Sequence, residues 1–378
     1  MRLYDRVADL PLEVDGYDLR FVERNCSGDF ARVSVLLSLQ DARPATPEFS
    51  RPSTRIALHG EGRTGYGEDV TYDSVDHRAL VSSTTELPLA GTYTLDTFST
   101  ALDGIDLFPE RAPQREASRA YRRWAVESAA LDLALKQAGT DLASALDRKY
   151  DPVRFVVSTR LGEPPSFDRV LTWLRLNPDL EFKLDATSSW TPELIADLAA
   201  TDAVRVLDLK GQYRGTVVDQ PADPRLYRRL LESFPDALIE DPVLTAETRP
   251  LFEGREGRVT WDAPITDVES VDELPFEPEW LNVKPSRFGT VESLFETIEH
   301  CSDRGIRMYG GGQTELSVGR EHIHAIASLF YPDAPNDIAP RAYNEPEPAS
   351  GLPESPLSPP TDPRGLEWKR SSRSTRSE

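Results

Sequence analysis

The sequence predicts an α/β barrel carried behind an α+β domain. Two observations lead there. Up to about residue 118 the apolar pattern is mostly strand-like and runs into one long amphipathic helix; after residue 150, short apolar strands alternate with helices. A third observation, that charged residues recur at the ends of those strands, indicates where chemistry would be done.

In the first region "ARVSVLLSL" (31–39) and "RIALHGEG" (55–62) alternate or run apolar, and "GYGEDVTY" (65–72) follows a hairpin. The stretch "SRAYRRWAVESAALDLALKQAG" (118–139) has helical apolar spacing and stops on Gly139, a residue that tolerates the left-handed backbone in which helices commonly end. An α+β domain over 1–118 follows.

Strands are then expected at "RFVVSTRL" (154–161), "EFKLDA" (181–186), "VRVLDLKG" (204–211), "ALIEDP" (237–242), "RVTWDAP" (258–264), "WLNVKPS" (280–286), "IRMYGGG" (306–312) and, weakly patterned, "NDIAP" (336–340). Helices are expected between them at 166–176, 191–200, 224–234, "TAETRPLFEG" (245–254), 268–274, 290–305 and 320–330. Eight strands with seven helices over about 190 residues fit a barrel, assigned to 119–340. An open doubly wound sheet is the alternative, although no glycine-rich dinucleotide turn follows any strand. The proline-rich 341–368 offers Leu352, Leu357, Leu366 and Trp368 for burial and is expected to run extended along the protein, with 369–378 disordered.

Composition narrows the function. A formal net charge of -21 argues against nucleic acid or anionic membrane as the main partner. No apolar run reaches the roughly 18 residues of a membrane span, and "MRLYDRVADL" is too polar for a signal peptide, so the cytoplasm is the expected location. Cys26 and Cys301 are read as free thiols. His322 and His324, two apart on a helix, make a poor ligand pair.

Only six lysines stand among the 43 basic residues, and Lys183, Lys210 and Lys284 fall at strand ends. In a barrel the C-terminal strand ends converge on one mouth. Polar residues there are Lys183 and Asp185, Asp208 and Lys210, Glu240, Asp262, Lys284 and Glu315, so four successive strands end on Asp, Glu, Asp and Lys. Three ionised carboxylates cannot crowd together without a cation, and a hard divalent ion with oxygen ligands, Mg²⁺ foremost, relieves their repulsion. The plain alternative is that each carboxylate caps the helix after its strand. For Lys284 the plain alternative is a salt bridge; the functional one is a general base.

The pieces "GYGE" (65–68), "AVESAALDLALKQAG" (125–139), "IEDP" (239–242), "VKPSRFG" (283–289), "GGGQTELSVGR" (310–320) and "GLPESPL" (351–357), in this order, resemble the enolase superfamily, specifically its mandelate racemase and muconate lactonising enzyme branch. The resemblance spans nearly the whole chain. It implies a modified TIM barrel, (β/α)₇β, under an N-terminal α+β capping domain whose loops cover the substrate. It also implies one Mg²⁺ per subunit held by Asp208, Glu240 and Asp262, a sixth-strand lysine at Lys284, and an acidic position near the substrate at Glu315. The common step of such enzymes is removal of a proton α to a carboxylate. The partners implied are a small-molecule carboxylate substrate and, as an open question, a second copy of the chain.

Two departures stand out. Relatives carry Lys-x-Lys on the second strand, where this chain has Lys183 and Asp185, and Asp-x-Asn on the third, where it has Asp208 and Lys210. The base on one face is thus missing, replaced by Asp185 or relocated to Lys210; a Lys210–Asp185 ion pair is the bland alternative. Racemisation needs bases on both faces, so a single-face elimination or addition is favoured. "KLDATSSWTPELI" also resembles the third-strand metal segment, which would make Asp185 a ligand, although strand counting favours Asp208. "VERNCSGDFAR" (22–32) is a candidate lid, with Arg24 or Arg32 able to meet an anionic substrate. Two other functions stay open: a Schiff-base lysine aldolase-type barrel, which needs no metal, and a non-catalytic metal-binding homologue.

Overall fold

The computed structural model describes residues 2–26, 49–216, 218–345 and 347–368. Residues 27–48 and 369–378 lie outside the described residues, and with them the predicted strand at 31–39, Arg32, most of the candidate lid and the tail expected to be disordered; the side chain of Cys26 does too.

The first region holds two small antiparallel sheets. β1 (Pro11–Val14) pairs with β5 (Gly91–Thr94), while β2 (Gly16–Cys26), β3 (Phe49–Gly60) and β4 (Arg63–Asp69) form a meander. Glu61 and Gly62 join β3 to β4, both at positive φ (49° and 67°), the backbone that a two-residue hairpin turn requires. The helix Ala117–Gln137 lies on β4 at very close range. A Cβ on Gly67 would fall 1.8 Å from Ala125 O, and one on Gly65 would fall 2.2 Å from Ala129 O, so the two glycines of "GYGE" let backbone meet backbone. The helix ends where expected, ahead of Gly139 at φ +68°.

The second region is a parallel sheet in chain order: β6 (Val157–Thr159), β7 (Phe182–Asp185), β8 (Val204–Asp208), β9 (Leu238–Glu240), β10 (Val259–Trp261), β11 (Trp280–Val283) and β12 (Arg307–Gly310). The predicted eighth strand is reduced to two bridges, Asn336 with Phe155 and Asp337 with Gly311. They join the two edges: Asn336 O accepts from Val156 N at 2.8 Å, and Asp337 N donates to Gly310 O at 2.7 Å. The curled sheet is thereby closed, as the barrel reading expects and the open sheet does not. Its short strands are buried on both faces, the pattern of a parallel sheet covered by helices.

The predicted helices recur at Asp168–Leu176, Pro192–Ala199, Pro224–Ser233, Val268–Asp272, Val291–Asp303 and Val318–Phe330. The exception is "TAETRPLFEG", where only a 3₁₀ turn, Arg249–Phe252, forms. Pro250 removes a backbone donor, and Gly254 at φ +72° ends the run four residues later, too short a stretch to nucleate a helix. The last segment folds back: Leu357 bridges to Val153, and Leu366 and Trp368 are buried. Cys301 is a buried free thiol. Among the described residues no helix is long and apolar enough to cross a membrane.

Candidate metal centre and active-site mouth

Asp208 ends β8, Glu240 ends β9, Asp262 follows β10 and Lys284 follows β11, so adjacent strands deliver them to one mouth. The helices after these strands take their side-chain caps from Asp223, Asp267 and Thr290 instead. The carboxylates are therefore free of the capping role that was their plain alternative. Asp208, Glu240 and Asp262 are fully buried, and one oxygen from each lies within 4.8 Å of the others.

Burial opposes ionisation of all three. Lys210 and Lys183 hold the Asp208 carboxyl well below the usual range, and Arg287 and Lys284 do the same for Asp262. Glu240 goes the other way, pushed well up by burial and by the charge of Asp208. One carboxylate of three is thus disfavoured as an anion, the condition a hard cation relieves. Asp262 Oδ1 is buried and meets Arg287 at 3.0 Å as an ion pair without accepting a hydrogen bond. The donor set, three carboxylates brought together from adjacent strand ends, fits a divalent ion.

Cations surround the triad. Lys183 Nζ is 2.6 Å from Glu240 Oε1, 3.1 Å from Asp337 Oδ2 and 3.5 Å from Asp208 Oδ2; burial alone would lower its pKa, and these carboxylates raise it well above the ordinary lysine value. Lys210 Nζ donates to Asp208 and lies 3.6 Å from Asp185. Lys284 Nζ donates to Asp262 Oδ2 at 2.9 Å. The Lys210–Asp185 ion pair, the bland alternative to a base role for either residue, is present and shared with Asp208. Asp185 is engaged more closely by Arg160, whose Nε donates to Oδ2 at 2.7 Å. Asp185 is on the second barrel strand and is not part of the three-carboxylate cluster.

A cavity of about 200 Å³ opens over this mouth, lined among others by Arg51, Tyr72, Arg160, Asp185, Lys210, Lys284 and Gln313. Three non-glycine residues at the strand ends hold positive φ: Lys210 (54°), Asp241 (50°) and Thr314 (62°). Such backbone is costly and gathers at functional sites. Asp241 accepts from Asp262 N and Ala263 N, both at 2.9 Å, so the acidic pair in "IEDP" divides its labour: Glu240 faces the cluster while Asp241 fixes the backbone that carries Asp262.

Several groups went unnoticed in sequence. Tyr213 donates to Asp262 Oδ2 at 2.7 Å from the loop after β8, and Arg287 sits 3.0 Å from Asp262 Oδ1. Tyr309 donates to Glu240, Asn282 Nδ2 reaches the same oxygen at 3.3 Å, and Asp337 comes from the closing segment. Arg51 reaches the cavity from β3. No short-range pattern marks them, although the "KPSR" run could have drawn attention to Arg287. Arg24, opposite Arg51 in the β2–β3 register, is exposed on its strand. Glu315 stands apart: it accepts from Gln313 N at 2.6 Å, faces Arg320 at 3.7 Å and lines a separate depression with Trp368. His322 and His324 are buried on the last helix, with His324 Nε2 2.8 Å from Ile338 O.

Comparison with known proteins agrees with this architecture. Residues 149–345 match the C-terminal domain, and residues 40–145 the N-terminal domain, of a domain of unknown function, DUF8230. An o-succinylbenzoate synthase of Escherichia fergusonii is 24% identical over 157 residues, which is 41% of this chain and 41% of that protein, so the aligned part spans less than half of the relative. Among solved structures, an enolase-superfamily member from Enterococcus faecalis V583 superposes with a TM-score of 0.61 at 16% identity, covering 87% of this chain and 86% of that one. The muconate cycloisomerase of Pseudomonas fluorescens gives 0.60 at 15% identity, covering 87% of each. These likenesses show the fold.

Proposed function

The chain belongs to the DUF8230 family and carries the enolase-superfamily fold, and from that premise we propose that it is a Mg²⁺-dependent lyase or isomerase that removes a proton α to a carboxylate. The observation that carries the reading is the buried Asp208–Glu240–Asp262 cluster with Lys284 beside it on the same mouth.

Asp208, Glu240 and Asp262 would hold the ion. When bound, it supplies a fixed positive charge for the substrate carboxylate and for the negative charge that grows on it as the α-carbon loses its proton. Lys284 Nζ is the group placed to take that proton: the C–H bond breaks, an N–H bond forms, and the electron pair moves into the carboxylate. In an elimination the pair then returns to form a C=C bond as the β-substituent leaves. Lys183, buried between Glu240 and Asp337, holds the cluster together and is not a second base. Asp185 stands where a second-face lysine would be but is committed to Arg160, so one-sided elimination or addition is favoured over racemisation. Glu315 braces the loop that carries Gln313. The division into a substrate-covering cap (1–118), a catalytic barrel (119–340) and an extended segment (341–368) belongs to the same proposal, as does a cytoplasmic location.

The test is NMR-monitored deuterium exchange across a library of carboxylic acids with Mg²⁺ in D₂O. An acid whose α-proton exchanges with the wild type and not with Lys284→Ala or Glu240→Gln supports the reading. Equal exchange by Lys284→Ala removes the lysine from the role of base.

A further inference from the structure

Seven cations line the cavity, and six of them have a carboxylate within ion-pairing distance. Arg51 is the seventh, and among the described residues no carboxylate pairs with it. It is nonetheless fully buried. Neutral carbonyls hold it: Nη1 donates to Thr71 O at 2.7 Å, and Nη2 to Val70 O at 2.5 Å and to Gln313 O at 2.8 Å. Its guanidinium lies 4.4 Å from the centre of the Tyr72 ring, and among the described residues its Nε has no hydrogen-bond partner. Beside it, Gln313 is 3% exposed; its Oε1 accepts from Tyr72 OH at 2.5 Å, while its Nε2 finds no acceptor among the described residues.

A buried charge without a counter-charge and a buried donor without an acceptor are both costly to keep, and both belong to residues that face one cavity. A ligand oxyanion arriving there satisfies the two at once. We propose that this corner, between the β3–β4 side of the cap and the loop after β12, is a second anion subsite that takes a carboxylate at the end of the substrate remote from the reacting carbon. It rests on the proton-abstraction reading, since it assigns the substrate's other end. The charge count selects a carboxylate over a phosphate: the corner offers one uncompensated positive charge and a neutral amide donor, which matches a monoanion.

The experiment compares straight-chain dicarboxylates from succinate to pimelate with monocarboxylates of equal length, butyrate to heptanoate. Dissociation constants come from ligand-observed NMR titration of the full chain in saturating MgCl₂. Some dicarboxylate is expected to bind at least about tenfold tighter than its monocarboxylate, the lower end for a hydrogen bond to a charged group. Gln313→Glu places a carboxylate against Arg51 and is expected to bring that ratio to about 1, while Gln313→Leu, which removes the donor together with the acceptor of Tyr72 OH but adds no charge, lowers it partway. Equal affinities in the wild type, or a preference that survives Gln313→Glu, overturn the subsite and leave Lys284's role standing. A phosphonate-terminated acid that outcompetes the dicarboxylate overturns the assignment to carboxylate. Loss of all Mg²⁺-dependent binding in both series overturns the proton-abstraction reading, and the subsite with it.

Discussion

Glu68→Gln should uncouple the cap from the barrel at one measurable point. Glu68, 2% exposed at the end of "GYGE", crosses to the start of the helix Val318–Phe330. Its Oε1 accepts from Leu316 N at 2.6 Å, and its Oε2 from Ser317 N and Gly319 N, both at 2.9 Å. The glutamine keeps one acceptor oxygen and turns an amide donor toward the remaining backbone N–H groups. Whichever way the amide is turned, one or two buried donors lose their acceptor, at about 1–3 kcal/mol each. The lost charge at a helix N-terminus adds about 0.3–1 kcal/mol. A destabilisation of roughly 3 kcal/mol is expected from these two contributions. Urea unfolding followed by far-UV circular dichroism and tryptophan fluorescence measures it, with Glu61→Gln, on the exposed hairpin turn, as the control whose midpoint stays put. A Glu68→Gln midpoint equal to the control's would refute the reasoning, because the three N–H groups would then have another acceptor. The same anchor steadies the loop that bears Gln313, so the dicarboxylate preference is expected to weaken in this variant too.

Mg²⁺ should raise the thermal midpoint, since an ion that binds only the folded chain adds about 2.7 kcal/mol at a hundred times its dissociation constant. EDTA should reverse the shift and Asp262→Asn should abolish it; a midpoint indifferent to Mg²⁺ in the wild type would count against the metal site. His322 provides a pH test: it is buried, and burial with the nearby charge of Lys136 pushes its pKa down to about 3. Because the folded value lies below the ordinary 6.5, the unfolded chain binds the extra proton between these limits, and stability falls as pH drops from 6.5 toward 3 by about 1.4 kcal/mol per unit. His322→Phe should flatten that part of the profile between pH 6.5 and 5 in urea titrations, and an unchanged slope would assign it to other groups.

What could be read in the sequence was what a strand displays locally. Asp208, Glu240, Asp262 and Lys284 each end a short apolar run before a turn, so alternation and strand counting sufficed to place them on one rim. Arg51, Tyr213, Asp337 and the acceptor-starved amide of Gln313 escaped because nothing near them in sequence marks their destination; Arg51 meets Gln313 across 262 residues. "TAETRPLFEG" misled through good helical spacing, overridden by Pro250. "NDIAP" looked weak because two bridges suffice to close the barrel there. Gly65 and Gly67 were legible as a motif, but their reason, a helix backbone against β4, was not.

The last segment bears on the order in which the molecule can be completed during synthesis. Asp132, buried on the helix Ala117–Gln137, accepts from Tyr66 N and from Lys136, and its remaining oxygen from Leu366 N, 234 residues later. At about 5–20 residues per second, that partner emerges on the order of 10–50 s after Asp132 itself. Until then the helix that joins cap to barrel carries a carboxylate with one oxygen still open to water, and Trp368 has yet to pack beside Tyr150. The helix is thus kept from its final state by a segment made 234 residues later, and a chain cut before Leu366 would carry that waiting state permanently.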